Sequence, residues 1–171
     1  VINAAILPQL TSVADIDQKA FSQALTINVL ATQALIAAFD PLLRKSADAR
    51  VIGVSSSVAQ RPHAFWGAYA ASKFALEAIS EALAGEVKPF NIRVGIVEPG
   101  ITDTDMAQHI KVDSVSVYPQ VRRFGGLFAA SLKNPTPASL IAAKILEVAE
   151  SGTWQLRHPA GPDAIPFLGW R

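Results

Sequence analysis

Two kinds of hydrophobic pattern alternate along this chain. Short runs of branched apolar residues, Val1-Ile2-Asn3-Ala4-Ala5, Arg50-Val51-Ile52-Gly53-Val54 and Ile92-Arg93-Val94-Gly95-Ile96-Val97, read as buried strands. Between them lie long stretches with apolar positions every three or four residues. Phe21, Leu25, Val29, Ile36, Phe39 and Leu43 mark one face of a helix that opens at Asp15 as N-cap and runs to about Lys45, with Pro41 placed to kink or stop it. Ala71, Phe74, Ala75, Ala78, Ile79, Ala82 and Leu83 give a second helix, from about Ala68 to Val87, a broad face of mostly small residues. Such a face lets a partner helix approach closely. Pro135-Thr136-Pro137 opens another helix to about Glu150, and Trp154-Gln155-Leu156-Arg157-His158 is a short last strand before a Pro/Gly-rich tail. The stretch 104–134 is mixed, reads as irregular, and carries a possible hinge at Gly125-Gly126.

Strands alternating with helices require crossovers, so the sheet is parallel and helices cover both faces. The fold class expected is α/β, a doubly wound parallel sheet. Ligands of such sheets sit at the carboxyl ends of the strands. The polar or unusual residues gather at those ends: Asn3, Ser55-Ser56-Ser57 and Pro99-Gly100.

Composition narrows the chemistry. The chain has 171 residues, half of them apolar and 17% charged, which suits one domain with a sizeable core. A net charge of +1 offers no electrostatic footprint for nucleic acid or an anionic membrane. Without cysteine there is no disulfide, thiolate nucleophile or cysteine metal site, as suits a reducing cytoplasm. No uninterrupted apolar run reaches the roughly twenty residues of a membrane span, and no metal-ligand spacing links His63, His109 and His158 or brings partners to Asp103 and Asp105.

Tyr69 and Lys73 stand four residues apart at the start of the second helix, hence on one face. A free phenol, with a pKa of about 10, is a poor base near neutrality. An ammonium beside it favours the phenolate and brings it toward working range. Tyr69 then passes a proton to or from a carbonyl or alcohol oxygen, and Ser56 hydrogen-bonds the same oxygen.

Four further segments stand in order around this pair: Val1-Ile2-Asn3-Ala4-Ala5, Thr26-Ile27-Asn28-Val29-Leu30, Val51 to Ser57, and Val97-Glu98-Pro99-Gly100 followed by Thr104. Together with Tyr69-Ala70-Ala71-Ser72-Lys73 they resemble the short-chain dehydrogenase/reductase family over nearly the whole chain. Ala5 stands where that family usually has Gly, and Gln60 near where Gly is common. The resemblance implies a Rossmann-like fold and hydride transfer between NAD or NADP and a small-molecule secondary alcohol or carbonyl. It implies roles as well. Tyr69 is the general acid/base, Lys73 holds the nicotinamide ribose, and Ser56 polarises the substrate oxygen. Asn28 supports a proton relay through its backbone and a water. Asn3 and Ala4 line the adenosine side, and Pro99, Gly100, Ile101 and Thr104 hold the nicotinamide. Counting from the strand start and back from Tyr69 selects Ser56 as the catalytic serine; the following Val-Ala pattern selects Ser57 instead.

No Gly-x-x-x-Gly-x-Gly phosphate turn and no residue choosing NAD or NADP occurs in the sequence. The chain also opens without Met inside an apolar run. It reads as one partial domain, residues 1–171, the carboxyl-terminal portion of the fold, with a substrate lid at about 104–134. Met106, Tyr118, Phe124, Leu127 and Phe128 are the expected apolar lining of that lid. Homo-oligomers through the long helices are expected. The competing expectation is a non-catalytic fragment or association module that pairs through the open edge at Val1 to Ala5.

Overall fold

The computed structural model describes residues 1–113 and 116–168; residues 114–115 of the expected lid and 169–171 of the expected tail lie outside them. Three parallel strands, β1 (Arg50–Val54), β2 (Arg93–Pro99) and β3 (Arg157–Ala160), lie in the order β1-β2-β3. Val54 stands opposite Val97, and Pro99 opposite Ala160, so β2 and β3 end level and β1 ends two residues short of them at the same edge. The expected strand at Val1 to Ala5 reduces to a single parallel bridge between Ile2 and Gly53 on the outer side of β1. Ile2 N–H donates to Ile52 O (2.8 Å), and Val54 N–H donates to Ile2 O (2.9 Å). Beyond Ile2 the chain turns to line a cavity at the carboxyl edge.

The first helix is continuous from Gln18 to Leu43. It comprises α1 (Gln18–Leu25), one wide π turn (Thr26–Leu30) and α2 (Ala31–Leu43). Its N-cap is Asp17, which accepts from Ala20 N–H, rather than the expected Asp15; Asp15 ends a 3₁₀ turn capped by Ser12. Pro41 falls in the last turn, and the helix continues past it to Leu43. With a mean hydropathy of 1.4 over an 18-residue window, this helix is long and apolar enough to cross a membrane by length and composition alone. Gln23, Asn28, Gln33 and Asp40 divide it into apolar runs far shorter than roughly twenty residues, so the expectation about uninterrupted runs stands beside this helix-wide measure.

α3 (Gly67–Val87) connects β1 to β2. α4 (Asp105–Gln108), α5 (Gln120–Ser131) and α6 (Ala138–Glu150) connect β2 to β3, and α7 (Ala164–Leu168) follows. Alternation along the strands divides the core between two faces. On one, Val94 meets Leu83 and Val87 of α3, with Ile36 and Leu43 of α2 against them. On the other, Ile52 and Val97 meet Ile141 and Val148 of α6. This is the doubly wound, Rossmann-like α/β arrangement expected. Gly95 permits close contact on the second face: a Cβ there would lie 2.9 Å from Val148 Cγ1.

Three boundaries differ from expectation. The stretch 104–134 contains α4 and α5 rather than being irregular throughout. Gly125-Gly126 lies inside α5, where a Cβ on Gly125 would come within 3.1 Å of Val112, so this glycine serves close packing and not a hinge. β3 begins at Arg157, where pairing with Ile96 starts, rather than at Trp154.

Candidate active site

The carboxyl ends of β1 and β2 and the first turn of α3 enclose a cavity of about 460 Å³. Its lining includes Asn3, Ala4, Ser55, Ser56, Ser57, Tyr69, Lys73, Pro99, Gly100, Ile101 and Thr104. The structure thus brings together every expected site residue except Asn28. The volume falls within the roughly 300–1,000 Å³ typical of small-molecule sites.

Tyr69 lies in the first turn of α3 and shares the cavity lining with Ser56. Burial pushes Tyr69 up to about 12, and the neighbouring Ser56 hydroxyl only partly offsets this. The lowering expected from Lys73 is thus overridden, because removing the phenolate from water costs more than its neighbours return. Lys73 is 3% exposed, and its Nζ stands 5.7 Å from the Tyr69 ring centroid. Burial pulls the ammonium down to about 8, opposed by the charge of Glu77. Lys73 donates to Val54 O (2.9 Å), which spends one of its three donors.

The three serines have different surroundings. Ser55 is buried and donates to Glu77 Oε1 (2.8 Å). Ser56 meets Tyr69 and also caps the 3₁₀ turn Ser57–Ala59. Ser57 begins that turn. Alternation at the end of β1 sends Ser55 behind the sheet edge and Ser56 toward the tyrosine.

Asn28 sits in the π turn and outside the cavity lining. Its Nδ2 donates to Ile6 O and Ser72 Oγ (both 2.9 Å), and its Oδ1 accepts from Ile6 N–H (2.8 Å). Ser72 Oγ in turn donates to Tyr69 O (2.8 Å). Asn28 therefore fastens the segment after Ala5 to the first turns of α3. Its own carbonyl accepts from Thr32 Oγ1 (3.1 Å).

At the end of β2, a Cβ on Gly100 would lie 2.2 Å from the Asp163 carboxylate and would displace it. Ile101 N–H donates to Asp163 Oδ2 (2.6 Å). Thr104 caps α4 by accepting from Ala107 N–H (3.3 Å). Of the expected lid residues, Met106 and Phe128 line the cavity, and Phe128 meets Trp66 edge-to-face at 5.2 Å. Trp66 meets Tyr69 in the same way at 6.0 Å. Phe124 packs on Phe65 (5.4 Å) instead, while Tyr118 and Leu127 are exposed. Among the described residues, no group of three His, Cys, Asp or Glu side chains could hold a metal ion.

Sequence reading missed Asp163 and a buried polar group behind the site: Gln60, Glu77, Glu98 and Arg157. Two signals were available. Glu77 follows Lys73 by four residues on the same helical face, and Glu98 interrupts an otherwise apolar strand.

Residues 1–114 match the family model for short chain dehydrogenases. Uncharacterized oxidoreductase YciK of Escherichia coli K12 is 38% identical over 104 residues, which cover 61% of this chain and 41% of that protein. A short-chain dehydrogenase of Streptomyces avermitilis has a TM-score of 0.81 at 28% identity, over 97% of this chain and 61% of its own. One from Shigella flexneri 2a, solved in complex with NADP, has a TM-score of 0.71 at 30% identity, over 92% of this chain and 60% of its own. The chain spans between 41% and 61% of the length of these three proteins. A matching family model over most of the residues that build the cavity, on a sheet that superposes on solved relatives, makes this chain a member of the short-chain dehydrogenase family.

Proposed function

We propose that this chain carries the catalytic and nicotinamide-side part of an oxidoreductase acting on a secondary alcohol or carbonyl. The observation that carries the reading is the convergence of Ser56, Tyr69 and Lys73 on one cavity also lined by Gly100. Tyr69 moves a proton to or from the substrate oxygen, and Ser56 donates to that oxygen and fixes its place. A nicotinamide dinucleotide, NAD or NADP, supplies the hydride acceptor or donor when bound. The residues present fit its nicotinamide half. Lys73 is a buried cation with donors to spare for ribose hydroxyls, and Gly100 lets the backbone come close at the strand end. Pro99, Ile101 and Thr104 border that position, with Asn3 and Ala4 on the adenosine side. The NADP bound by the Shigella relative supports the cofactor class. Trp66, Met106, Ile110 and Phe128 give the cavity an apolar wall, suited to an apolar substrate.

Tyr69→Phe tests the assignment. Turnover with nicotinamide is expected to fall on the order of 10²–10⁴-fold, with fluorescence-detected cofactor binding retained. Unchanged turnover overturns the role of Tyr69.

One observation favours a second reading. Val1 is 72% exposed beside an apolar groove lined by Ile2, Leu35, Ile36, Phe39 and Leu43, next to the unpaired side of Ile2. Residues 1–171 alone would then act through association at that edge. A chain of those residues that binds neither NADH nor NADPH in a fluorescence titration, yet self-associates, favours this second reading.

A further inference from the structure

Behind the cavity lies a cluster of ionisable groups that the proton transfer above does not use. Glu77 on α3 and Glu98 on β2 are 4% and 0% exposed. Glu77 is well supplied with donors: Ser55 Oγ to Oε1 (2.8 Å), and Gln60 Nε2 (2.8 Å) and Arg157 Nε (3.0 Å) to Oε2. Glu98 is poorly supplied. Its Oε1 takes the same Gln60 amide (2.5 Å) and stands 3.8 Å from Arg157 Nε, and its Oε2 is buried with no partner. Arg157 is shared further, since its other nitrogen pairs with Glu81. The charged groups facing the pair are Lys73 and Glu81 on α3 and Arg157 on β3.

A single guanidinium divided among three carboxylates leaves one of two adjoining buried acids uncompensated, and such acids do not both ionise. The proton belongs on the acid with fewer donors. Burial and the Glu77 charge push Glu98 up to about 8, against the pull of Gln60 and Arg157.

We propose that Glu77 and Glu98 are a one-proton acid pair, and that Glu77 is a positioning residue which holds Ser55, and through it the Ser56 corner, while facing Lys73 from one helical turn away. This rests on the roles proposed for Ser56 and Lys73. The coupling is mechanical and electrostatic. Ser55 and Ser56 are adjacent and point opposite ways, so tying Ser55 to Glu77 fixes the direction of the Ser56 hydroxyl. The Glu77 charge favours the ammonium of Lys73. Ionising Glu98 places a second negative charge against Glu77 and competes for the donors on Gln60 and Arg157.

Infrared difference spectroscopy across pH tests the pair without reference to catalysis. The wild-type protein is expected to show the carbonyl stretch of a buried protonated acid at pH 6–7, lost as pH rises through about 8. Glu98→Gln is expected to lack that band. Absence of the band in the wild type, or its persistence in Glu98→Gln, overturns the pair. Steady-state kinetics tests the positioning. Glu77→Gln is expected to lower kcat roughly tenfold with KM within about twofold, and to move the alkaline limb of the pH–rate profile to lower pH. A limb that stays in place overturns the positioning role. Should Glu77→Gln not fold, Glu98→Gln decides the same point: a pH–rate profile identical to wild type overturns it. A wild-type protein that shows the band but does not turn over with any nicotinamide defeats the functional reading and the positioning role, and leaves the acid pair standing.

Discussion

Lys73 carries a cost that its chemistry requires. The ammonium is buried at the foot of the cavity and pulled from about 10.5 to about 8. A base with a depressed folded-state pKa binds fewer protons folded than unfolded between those values, so stability rises with pH through that window and is lost as pH falls through about 8. Thermal or urea unfolding at pH 8 and pH 10 checks this. The wild type is expected to gain on the order of 2–3 kcal/mol relative to Lys73→Met over that interval. A parallel pH dependence in the two proteins would show that Lys73 is not desolvated. Tyr69 acts with the opposite sign, and only above about 10, because its folded value is raised to about 12. At this scale the sequence was legible where spacing alone carries information. Tyr69 and Lys73 share a face because four residues make about one turn, and Ser56 rather than Ser55 meets Tyr69 because strand neighbours alternate. The sign of the Tyr69 shift was not legible, since burial depends on which segments close over the phenol. Glu77, Gln60, Glu98 and Arg157 escaped notice for a related reason: they lie far apart in sequence, and β2 and β3 must pair before Arg157 reaches Glu77.

Among the elements, the helix through α1 and α2 shows where periodicity succeeds and where it stops. Phe21 to Leu43 were read as one helix, and one continuous helix forms. The π turn over Thr26–Leu30 was invisible, because a single widened turn barely disturbs a hydrophobic repeat. Its cause is tertiary: Asn28 is held by Ile6 and Ser72, from two other parts of the chain. Asn28→Ala is expected to cost ~1–3 kcal/mol in urea unfolding, since it strands the half-buried N–H and C=O of Ile6. A loss below about 1 kcal/mol would mean that water replaces the amide freely. The misread boundaries have similar origins. Asp17 displaced Asp15 as cap because Ser12 had already started a 3₁₀ turn, and α5 formed across Gly125-Gly126 because Val112 packs against the bare backbone of Gly125.

On the scale of the molecule, the two faces of the sheet are unequal. Ile141 and Val148 seal α6 against the sheet while Leu140 and Leu146 stay exposed on it, and the layer made by α1, α2 and α3 leaves still more apolar surface outside. Leu30, Leu35, Phe39 and Leu42 are all at least 45% exposed, and Ala71, Ala78 and Ala82 form an exposed small-residue strip on α3. Homo-oligomerisation through α3 is the assembly proposed for this surface. Sedimentation at micromolar concentration is expected to show a dimer or larger species that Ala78→Arg with Ala82→Arg converts to monomer, by setting four charges against each other across a two-fold contact. A monomeric wild type would count against it. The order of β1, β2, β3 and the long helices could be read from the sequence because strand and helix patterns alternate there, whereas α4, α5 and the reduction of the first strand to one bridge could not. Which faces remain open could not, because exposure is set by three-dimensional neighbours.

The wide turn at Asn28 also bears on descent. A π turn holds one residue more than the α turn it replaces, so it is the place where this helix can hold or shed a residue with least disturbance. Removing any one residue from 26–30 would let the segment close into ordinary α-helix, at almost no cost to composition or hydropathy. The wide turn sweeps nearly the same angle as an α turn one residue shorter, so the faces before and after it would stay aligned. A deletion elsewhere in 18–43 would instead rotate one part of the helix against the other by about 100°, and swing α1 away from α3. The helix can therefore lose a residue at the wide turn far more readily than anywhere else along its length.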